Sequence, residues 1–323
     1  MAALRLRLEG LEGKEHKRER TAVNKELYNL ENDEAYVAAA KEERSAQRAA
    51  DTAAEDVAWQ ASMQRERDAA EASKQRPASS TAETPEERLH FRSLVTSLFD
   101  EYATTFEAEL HALSYRAPAK IEAALSEIFA SNTAFSSTLA VDLGCGTGLA
   151  GVALRSRCHG RLVGCDLSQR MLNVAAQKHT DVYDELHACD CVAFLTRHVA
   201  PAAADLMVAA DVLVYMRELT DLFRAAASRL APGGLFAFST ELASPDEDPD
   251  GPGWIERASE RIAHSEAYVR MVVAEAGGGD GEEGGGLEVV ELHEASMRND
   301  LDKPIRGMLV VVRKTLAGGP RDS

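Results

Sequence analysis

Basic residues are scarce relative to acidic ones in this chain of 323 residues. There are 36 lysines and arginines against 53 aspartates and glutamates, so the formal net charge is −17. A sequence-independent grip on DNA or RNA requires basic side chains clustered on phosphates, and this charge argues against nucleic acid as a partner. It favours small molecules or basic surfaces instead.

Long apolar runs are also missing. No run reaches the roughly 18–20 residues that a membrane-spanning helix needs, so no membrane partner is expected. Near the start, Arg5 and Arg7 stand among leucines, but acids follow at once and there is no apolar signal-peptide core. We therefore expect a cytoplasmic protein, with import into an organelle left open.

Cysteines are few, and the chain has an odd number of them: Cys145, Cys158, Cys165, Cys189 and Cys191. This usage indicates reduced thiols in a reducing compartment rather than a disulfide framework. The Cys-Asp-Cys stretch is not followed by a second pair of possible ligands. The sequence therefore predicts no metal site.

Glycine and proline are absent from Lys14 to Arg76, where alanine and charged residues dominate. That composition favours helix, but the apolar residues are too sparse for a coiled-coil seam. We interpret residues 1–76 as a charged helical or partly disordered arm. The alternative is a helix in residues 14–76 that docks a protein partner through three apolar side chains, Val57, Trp59 and Met63.

The composition changes after a linker at residues 77–88, and a domain is predicted over residues 89–323. Its first helix is expected to bury one apolar face, formed by Phe91, Leu94, Val95, Leu98, Tyr102 and Phe106. Strands are predicted at 138–144, 161–166, 184–189, 205–212, 234–240, 287–297 and 308–314. Helices between them are predicted near 149–157, 168–178, 191–198, 218–230 and 265–276.

This alternation of strands and helices predicts an α/β fold, with a parallel sheet covered by helices on both faces. The connection between the last two strands is too short for a parallel crossover. They are therefore predicted to be antiparallel neighbours.

The stretch "VDLGCGTGLAG", Val141–Gly151, ends a predicted strand in glycines and can be interpreted in two ways. Its later part fits G-x-G-x-x-G, and Asp166 follows about twenty residues on, as in a dinucleotide site. The same stretch also has Asp142 ahead of three alternating glycines, Gly144, Gly146 and Gly148, which is typical of a methyltransferase. Under either interpretation the Asp166 carboxylate can accept hydrogen bonds from both ribose hydroxyls.

The ends of the next strands favour the second interpretation. Asp190 follows the third strand and Asp211 follows the fourth. In an open parallel sheet, ligands lie beyond the carboxyl ends of the strands, so these acids would surround one pocket. A dinucleotide has no need for such a run of acids. A cationic sulfonium that carries adenosine and an amino acid could use it.

Five stretches in this order, "VDLGCGTG", "GCDLSQRML", "ACD", "AADVLVYM" and "LAPGGLF", carry a family resemblance. Residues of about 89 to 315 resemble a class I S-adenosylmethionine-dependent methyltransferase with a type 11/12-like domain, similar to the bacterial-type subgroup associated with TPR repeats. The resemblance implies a Rossmann-like, seven-stranded sheet with an antiparallel last strand, and S-adenosylmethionine as cofactor. The G-x-G-x-x-G match would then be an accident of Gly151.

The resemblance also implies roles for individual residues. The glycines would approach the methionine part of the cofactor, Asp142 its ammonium group, and Asp166 its ribose. The adenine end would be held by Leu167, Met171, Asp190, Cys191 and Val192. Two further cofactor contacts have ordinary alternatives: Tyr102, with Phe106, covers the sulfonium or simply packs, and Arg116 pairs with the cofactor carboxylate or lies on the surface.

Polar residues near the pocket mouth are the candidates for removing a proton from an oxygen or nitrogen nucleophile. They are Asp211, Tyr215, His264 and Glu241. The predicted function is methyl transfer to a small molecule; the alternative is a non-catalytic assembly protein that docks through its arm. The acidic insert Ala243–Trp254 suggests a cationic or neutral acceptor, or is a solvated loop.

Overall fold

A computed structural model of the chain describes residues 85–131, 137–247, 251–276, 285–300 and 303–316, and apart from these only Glu19 and Val23. The chain divides into two compact units, Met1–Gln75 and Arg76–Ser323. Almost all of the predicted arm, with its docking side chains, and most of the linker lie outside the described residues. Their organisation and the domain boundaries therefore stay predictions.

The described part of the second unit contains eight α-helices. They are α1 (Pro85–Tyr102), α2 (Phe106–Ala112), α3 (Ala117–Ser131), α4 (Leu149–Arg155), α5 (Gln169–Lys178), α6 (Cys191–His198), α7 (Thr220–Arg229) and α8 (Glu266–Glu275). A short 3-10 turn, Leu213–Tyr215, follows the fourth strand. None of the helices in the described ranges is long and apolar enough to cross a membrane.

The strands are β1 (Ser137–Leu143), β2 (Cys158–Asp166), β3 (Glu185–Ala188), β4 (Ala204–Ala209), β5 (Leu230–Leu242), β6 (Trp254–Glu256), β7 (Ile262–His264), β8 (Leu287–Glu294), β9 (Asn299–Asp300), β10 (Lys303–Pro304) and β11 (Gly307–Lys314). Seven of them form the main sheet in the order β3-β2-β1-β4-β5-β11-β8. The first five of these run parallel, and β11 is antiparallel to both β5 and β8. The predicted α/β fold with an antiparallel last strand is confirmed.

Alternating side chains of the central strands point to two apolar layers, one on each face of the sheet. Val141 and Leu143 pack in the layer that includes residues of α6, α7 and α8. Ala140, which precedes Val141 in β1, belongs to the other layer with residues of α3 and α4. Because both faces are covered, the open edge for a ligand is the one where the parallel strands end.

The leading helix differs from its prediction. The chain turns after Tyr102, so two helices, α1 and α2, replace one. Leu94 and Leu98 are 54% and 39% exposed, whereas Val95 is buried and Phe99 faces the site described below. The face of α1 that packs inwards therefore contains Phe91, Val95 and Phe99, four residues apart, and leaves out Leu94 and Leu98.

The predicted insert also has structure of its own. Trp254, at its end, begins β6, which pairs antiparallel with β7, and β7 extends the main sheet beside β5. Glu247 within the insert forms an ion pair with Arg257 and accepts a hydrogen bond from the Ser244 amide. The Glu247 carboxylate is thus bound by two residues close to it in the chain, one before it and one just after β6.

Candidate active site

A cavity of about 400 Å³ lies at the carboxyl ends of β1, β2 and β4, beneath α1 and α2. Most of the predicted site residues line it: Gly144, Gly146, Asp166, Leu167, Met171, Asp190, Cys191, Asp211 and Tyr215. Val192 and Phe106, whose roles the resemblance also implied, line it too. The strand order brings these separate stretches to one place, as expected for an open parallel sheet.

The turn after β1 has three glycines in the left-handed region, with φ of +64° at Gly144, +54° at Gly146 and +98° at Gly148. This conformation strains residues that carry a Cβ. At Gly144 a Cβ would also lie 2.6 Å from a methyl carbon of Val212, which follows β4. The turn can therefore approach the end of β4 only with glycine at this position.

Asp166, at the end of β2, holds that turn in place. Its Oδ2 accepts a hydrogen bond from the Gly146 amide (3.0 Å), and its Oδ1 accepts one from the Ser168 amide (2.8 Å). Burial raises the pKa of Asp166, although these amides oppose the shift. Each oxygen can accept one further hydrogen bond from a ligand in the cavity.

Asp142 lies directly behind the turn and is 1% exposed. Its Oδ2 accepts a 2.6 Å hydrogen bond from the Tyr183 hydroxyl. Its Oδ1 is buried without a hydrogen-bond partner among the described residues, although the Gly151 amide is close enough to favour the charged form. A buried carboxylate oxygen without a partner can accept a hydrogen bond from a cationic group or another donor, directly or through water.

Gly151 makes room for Tyr183. A Cβ at position 151 would lie 2.2 Å from the Tyr183 hydroxyl oxygen. This glycine completes the G-x-G-x-x-G match, and in the structure its place in α4 allows the tyrosine to reach Asp142. Its presence therefore has a packing reason and is not an accident of the helix.

Asp190 lies at the start of α6 and caps that helix by accepting a hydrogen bond from the Ala193 amide (3.0 Å). Its Oδ2 lies 2.6 Å from a terminal amino nitrogen of Arg92 on α1. Arg92 lines the cavity as well. A ligand that binds to this carboxylate therefore shares it with the arginine.

Aromatic rings form one wall of the cavity. Phe99 packs edge-to-face against Phe106 (centroids 5.8 Å apart) and against Tyr215 (5.2 Å). All three line the cavity. Such a wall excludes water and attracts a cation at its ring faces.

At the end of β4, Asp211 has a φ of +61°, which is unusual for a residue with a Cβ. Its amide donates a hydrogen bond to the Ser239 hydroxyl (2.9 Å). Its carboxylate is ion-paired with Arg298, and the same arginine is ion-paired with Glu241. Arg298 is 2% exposed, so it joins two acids in the interior.

Tyr215 and Arg261 lie at the same end of the cavity. The Arg261 Nε donates a hydrogen bond to the Tyr215 hydroxyl (3.3 Å). Arg261 comes immediately before β7, far along the chain from the glycine turn. Burial would lower the pKa of Arg261, but Tyr215 and Asp211 more than offset this and raise it.

His264 is corrected as a candidate base. It lies in β7, is fully buried, and is not among the residues that line the cavity. Its Nε2 donates to the Met216 carbonyl oxygen (2.9 Å), and its Nδ1 accepts from the Thr240 hydroxyl (2.7 Å). Burial lowers its pKa to about 4, so the ring is a neutral structural link.

Other predicted residues lie behind or outside the cavity. Asp142 and Gly148 support the turn without lining the cavity, and Glu241 is buried against Arg298. Tyr102 and Arg116 do not line it either, and Arg116 is exposed. The amide of Arg116 donates to the Met297 carbonyl oxygen, which fixes the start of α3.

The structure adds residues that the sequence did not reveal: Arg92, Phe99, Tyr183, Arg261 and Arg298. A four-residue spacing from Phe91 was a usable signal for Phe99. The others come from segments without a motif, and each acts on a motif residue that is distant in sequence. Their role depends on the folded arrangement.

The family described as "Methyltransferase domain" matches residues 141–236. The chain contains a class I methyltransferase domain. Its cofactor is S-adenosylmethionine, as the resemblance implied. No curated protein sequence matches the chain, and the similarity to a TPR-associated subgroup stays a prediction.

Solved structures show the same fold at low sequence identity. A Leishmania major S-adenosylmethionine-dependent methyltransferase is 15% identical with a TM-score of 0.53, and the match covers 69% of this chain and 82% of that one. A Burkholderia thailandensis 1,6-didemethyltoxoflavin-N1-methyltransferase, with bound 1,6-didemethyltoxoflavin and S-adenosylhomocysteine, is 16% identical with a TM-score of 0.52, covering 74% and 94%. The Synechocystis magnesium protoporphyrin IX methyltransferase with bound S-adenosylhomocysteine is 15% identical with a TM-score of 0.50, covering 70% and 100%.

Proposed function

We propose that this methyltransferase acts on a small-molecule acceptor, which binds at the end of the cavity that Asp211 and Tyr215 line. The observation that carries the proposal is the single cavity that extends from the glycine turn to these two residues. The chain's own helices α1 and α2 contribute residues to its wall. This arrangement suits a small acceptor better than a protein side chain.

The chain's residues fit the cofactor. Asp142 lies behind the glycine turn and does not line the cavity, so its unpartnered Oδ1 suits an ammonium group through a bridging water. The two oxygens of Asp166, which lines the cavity, suit ribose hydroxyls. Leu167, Met171 and Asp190 line the cavity and would offer an adenine ring apolar contact and a hydrogen-bond acceptor. S-adenosylmethionine supplies a methyl group bound to a positively charged sulfur. When the methyl group is transferred, the sulfur becomes a neutral thioether, which is the leaving group.

The protein accelerates such a transfer mainly by positioning, since the reacting atoms must lie in line. Phe99, Phe106 and Tyr215 exclude water from this part of the cavity. Asp211 and Tyr215 remain our candidates for contact with the acceptor and its proton. Arg298 and Arg261 hold these two side chains in place.

The Asp166→Ala variant tests the cofactor assignment. Loss of two hydrogen bonds from ribose hydroxyls to a carboxylate is expected to cost about 2–3 kcal/mol, or roughly 30- to 150-fold in the Kd for S-adenosylmethionine. Calorimetric titration measures this directly. Asp181→Ala, at an exposed acid that does not line the cavity, is the matched control and should leave the Kd unchanged.

NADH is the control ligand for the same titrations. We expect no NADH binding to the native protein. NADH binding that competes with S-adenosylmethionine, or an unchanged Kd in Asp166→Ala, would contradict the proposed role of the cavity.

Cofactor affinity should also depend on pH through Asp142. Burial raises its pKa to about 7, against the opposing effect of the Tyr183 hydrogen bond. A cation bound nearby favours the ionised carboxylate, so binding releases a proton wherever the free protein holds one. The affinity should therefore rise by up to about tenfold per pH unit below pH 7, and level off above it.

This pH dependence is measured as the Kd for S-adenosylmethionine between about pH 6 and about pH 8. The Asp142→Asn variant is the control, because its side chain carries no charge at any pH. It should bind more weakly and lose most of the slope. An equal slope in the variant would assign the proton to another group.

A further inference from the structure

The acceptor end of the cavity contains an arginine with unused hydrogen-bonding capacity. Arg261 lines the cavity, and its Nε donates to the Tyr215 hydroxyl. No described residue accepts a hydrogen bond from its two terminal amino groups or forms an ion pair with it. These two groups form a planar fork that matches the geometry of a carboxylate.

The acids around Arg261 are already engaged. Asp211 and Glu241 act on its charge, but both are ion-paired with Arg298. Of the other arginines that line the cavity, Arg217 pairs with Glu256, Arg92 pairs with Asp190, and Arg197 is exposed to solvent. Arg261 therefore differs from these neighbours in lining the cavity as a largely buried charge without a paired anion.

A buried positive charge is costly unless an anion or several acceptors compensate it. Arg261 remains charged, because a guanidinium group keeps its proton in proteins and, despite its burial, the nearby Asp211 raises its pKa further. Among the described residues of the acidic insert, Glu247 pairs with Arg257, and neither Glu247 nor Asp246 lines the cavity. A bound ligand is thus the natural source of the missing anion.

We propose that the methyl acceptor is a small organic acid whose carboxylate binds the terminal amino groups of Arg261. The inference rests on the proposed function, since it names the chemical class of that acceptor. The rings of Phe99 and Tyr215 offer an apolar or aromatic body of the acid a surface to pack against. Arg261 would then fix both the orientation and the charge class of the acceptor.

The test uses matched probes on the full chain with S-adenosylhomocysteine bound. Three acids, benzoate, phenylacetate and 3-phenylpropionate, are compared with their amides and their amines by calorimetry at millimolar concentration. At least one acid should bind about tenfold more tightly than its amide and amine. Arg261→Gln should weaken the binding of that acid by about 10- to 150-fold in Kd, the equivalent of about 1.5–3 kcal/mol.

Two further variants separate binding from folding. Arg261→Lys keeps the charge without the fork and should retain part of the affinity for the acid. Arg257→Gln removes an arginine whose ion pair lies outside the cavity, and should change nothing. All three variants should bind S-adenosylmethionine as the native protein does.

The inference is overturned if the acid binds Arg261→Gln as tightly as it binds the native protein. It is also overturned if amides or amines bind as well as the acids, or if none of the acids binds. Failure of the native protein to bind S-adenosylmethionine is a different result. It would contradict the proposed function, whereas the acid titration repeated without the cofactor product would still measure the role of Arg261.

Discussion

Replacing Arg298 with methionine is expected to lower the free energy of unfolding by about 3–5 kcal/mol at neutral pH. Arg298 is 2% exposed and is the shared ion-pair partner of Asp211 and Glu241. Methionine fills much of the space but leaves two carboxylates in the interior without a cation. Urea denaturation of the native protein and the variant measures the difference.

The loss of unfolding free energy in Arg298→Met should become smaller as the pH falls. Burial raises the pKa of Glu241 even with the arginine present, and without the arginine the folded protein holds a proton on Glu241 more readily. Between the unfolded and the folded pKa values, stability then increases towards low pH. Adding Asp211→Asn and Glu241→Gln to the variant should restore much of the loss, because no buried charge remains.

Arg270→Met is the control for this comparison. Arg270 forms an exposed ion pair with Glu266 one helical turn away, and such pairs contribute at most about 0.5 kcal/mol. A similar loss for both arginines, or a loss for Arg298→Met that is independent of pH, would contradict the role of Arg298 as a buried link.

The second large effect is expected for Gly144→Ala. The left-handed φ costs a residue with a Cβ about 1–2 kcal/mol, and the contact with Val212 at 2.6 Å adds about 1–3 kcal/mol of overpacking. The loss of unfolding free energy should therefore be about 2–5 kcal/mol. Cofactor binding should weaken as well, because relief of the contact moves the turn.

Gly233→Ala is a matched control for Gly144→Ala. Gly233 also has a left-handed φ, +82°, but a Cβ there meets nothing within 4 Å. The unfolding free energy of Gly233→Ala should fall only by the cost of the left-handed φ, about 1–2 kcal/mol. Combining Gly144→Ala with Val212→Ala removes the contact and should restore part of the difference. Equal losses for the two glycines would show that the contact with Val212 is unimportant.

The sequence placed an acid at or just after the end of three predicted strands, and all three acids line the cavity in the structure. Asp166, Asp190 and Asp211 needed no knowledge of distant residues, since parallel strands end at one edge of the sheet. What binds these acids could not be predicted in this way. Arg92 and Arg298 reach them from α1 and from the segment after β8, and nothing in their local sequence marks them.

The errors have similar causes. In α1, apolar residues lie on two overlapping stripes, and the choice between Leu98 and Phe99 depends on what the helix packs against. His264 has the chemistry of a base, but its environment is decided by Thr240 and by the Met216 carbonyl oxygen. Chemical type is visible in a sequence, whereas burial and partners follow from the fold.

The small space at Gly151 has a consequence for comparing sequences. A side chain at position 151 would displace the hydroxyl of Tyr183, and Asp142 would lose its hydrogen-bond donor. In an alignment of related chains, these two positions should therefore covary: glycine where the second is tyrosine, and larger residues where it is smaller. A glycine that imitates a dinucleotide motif would then identify a subset of methyltransferases by its partner Tyr183, which follows it by 32 positions and lies beyond β2.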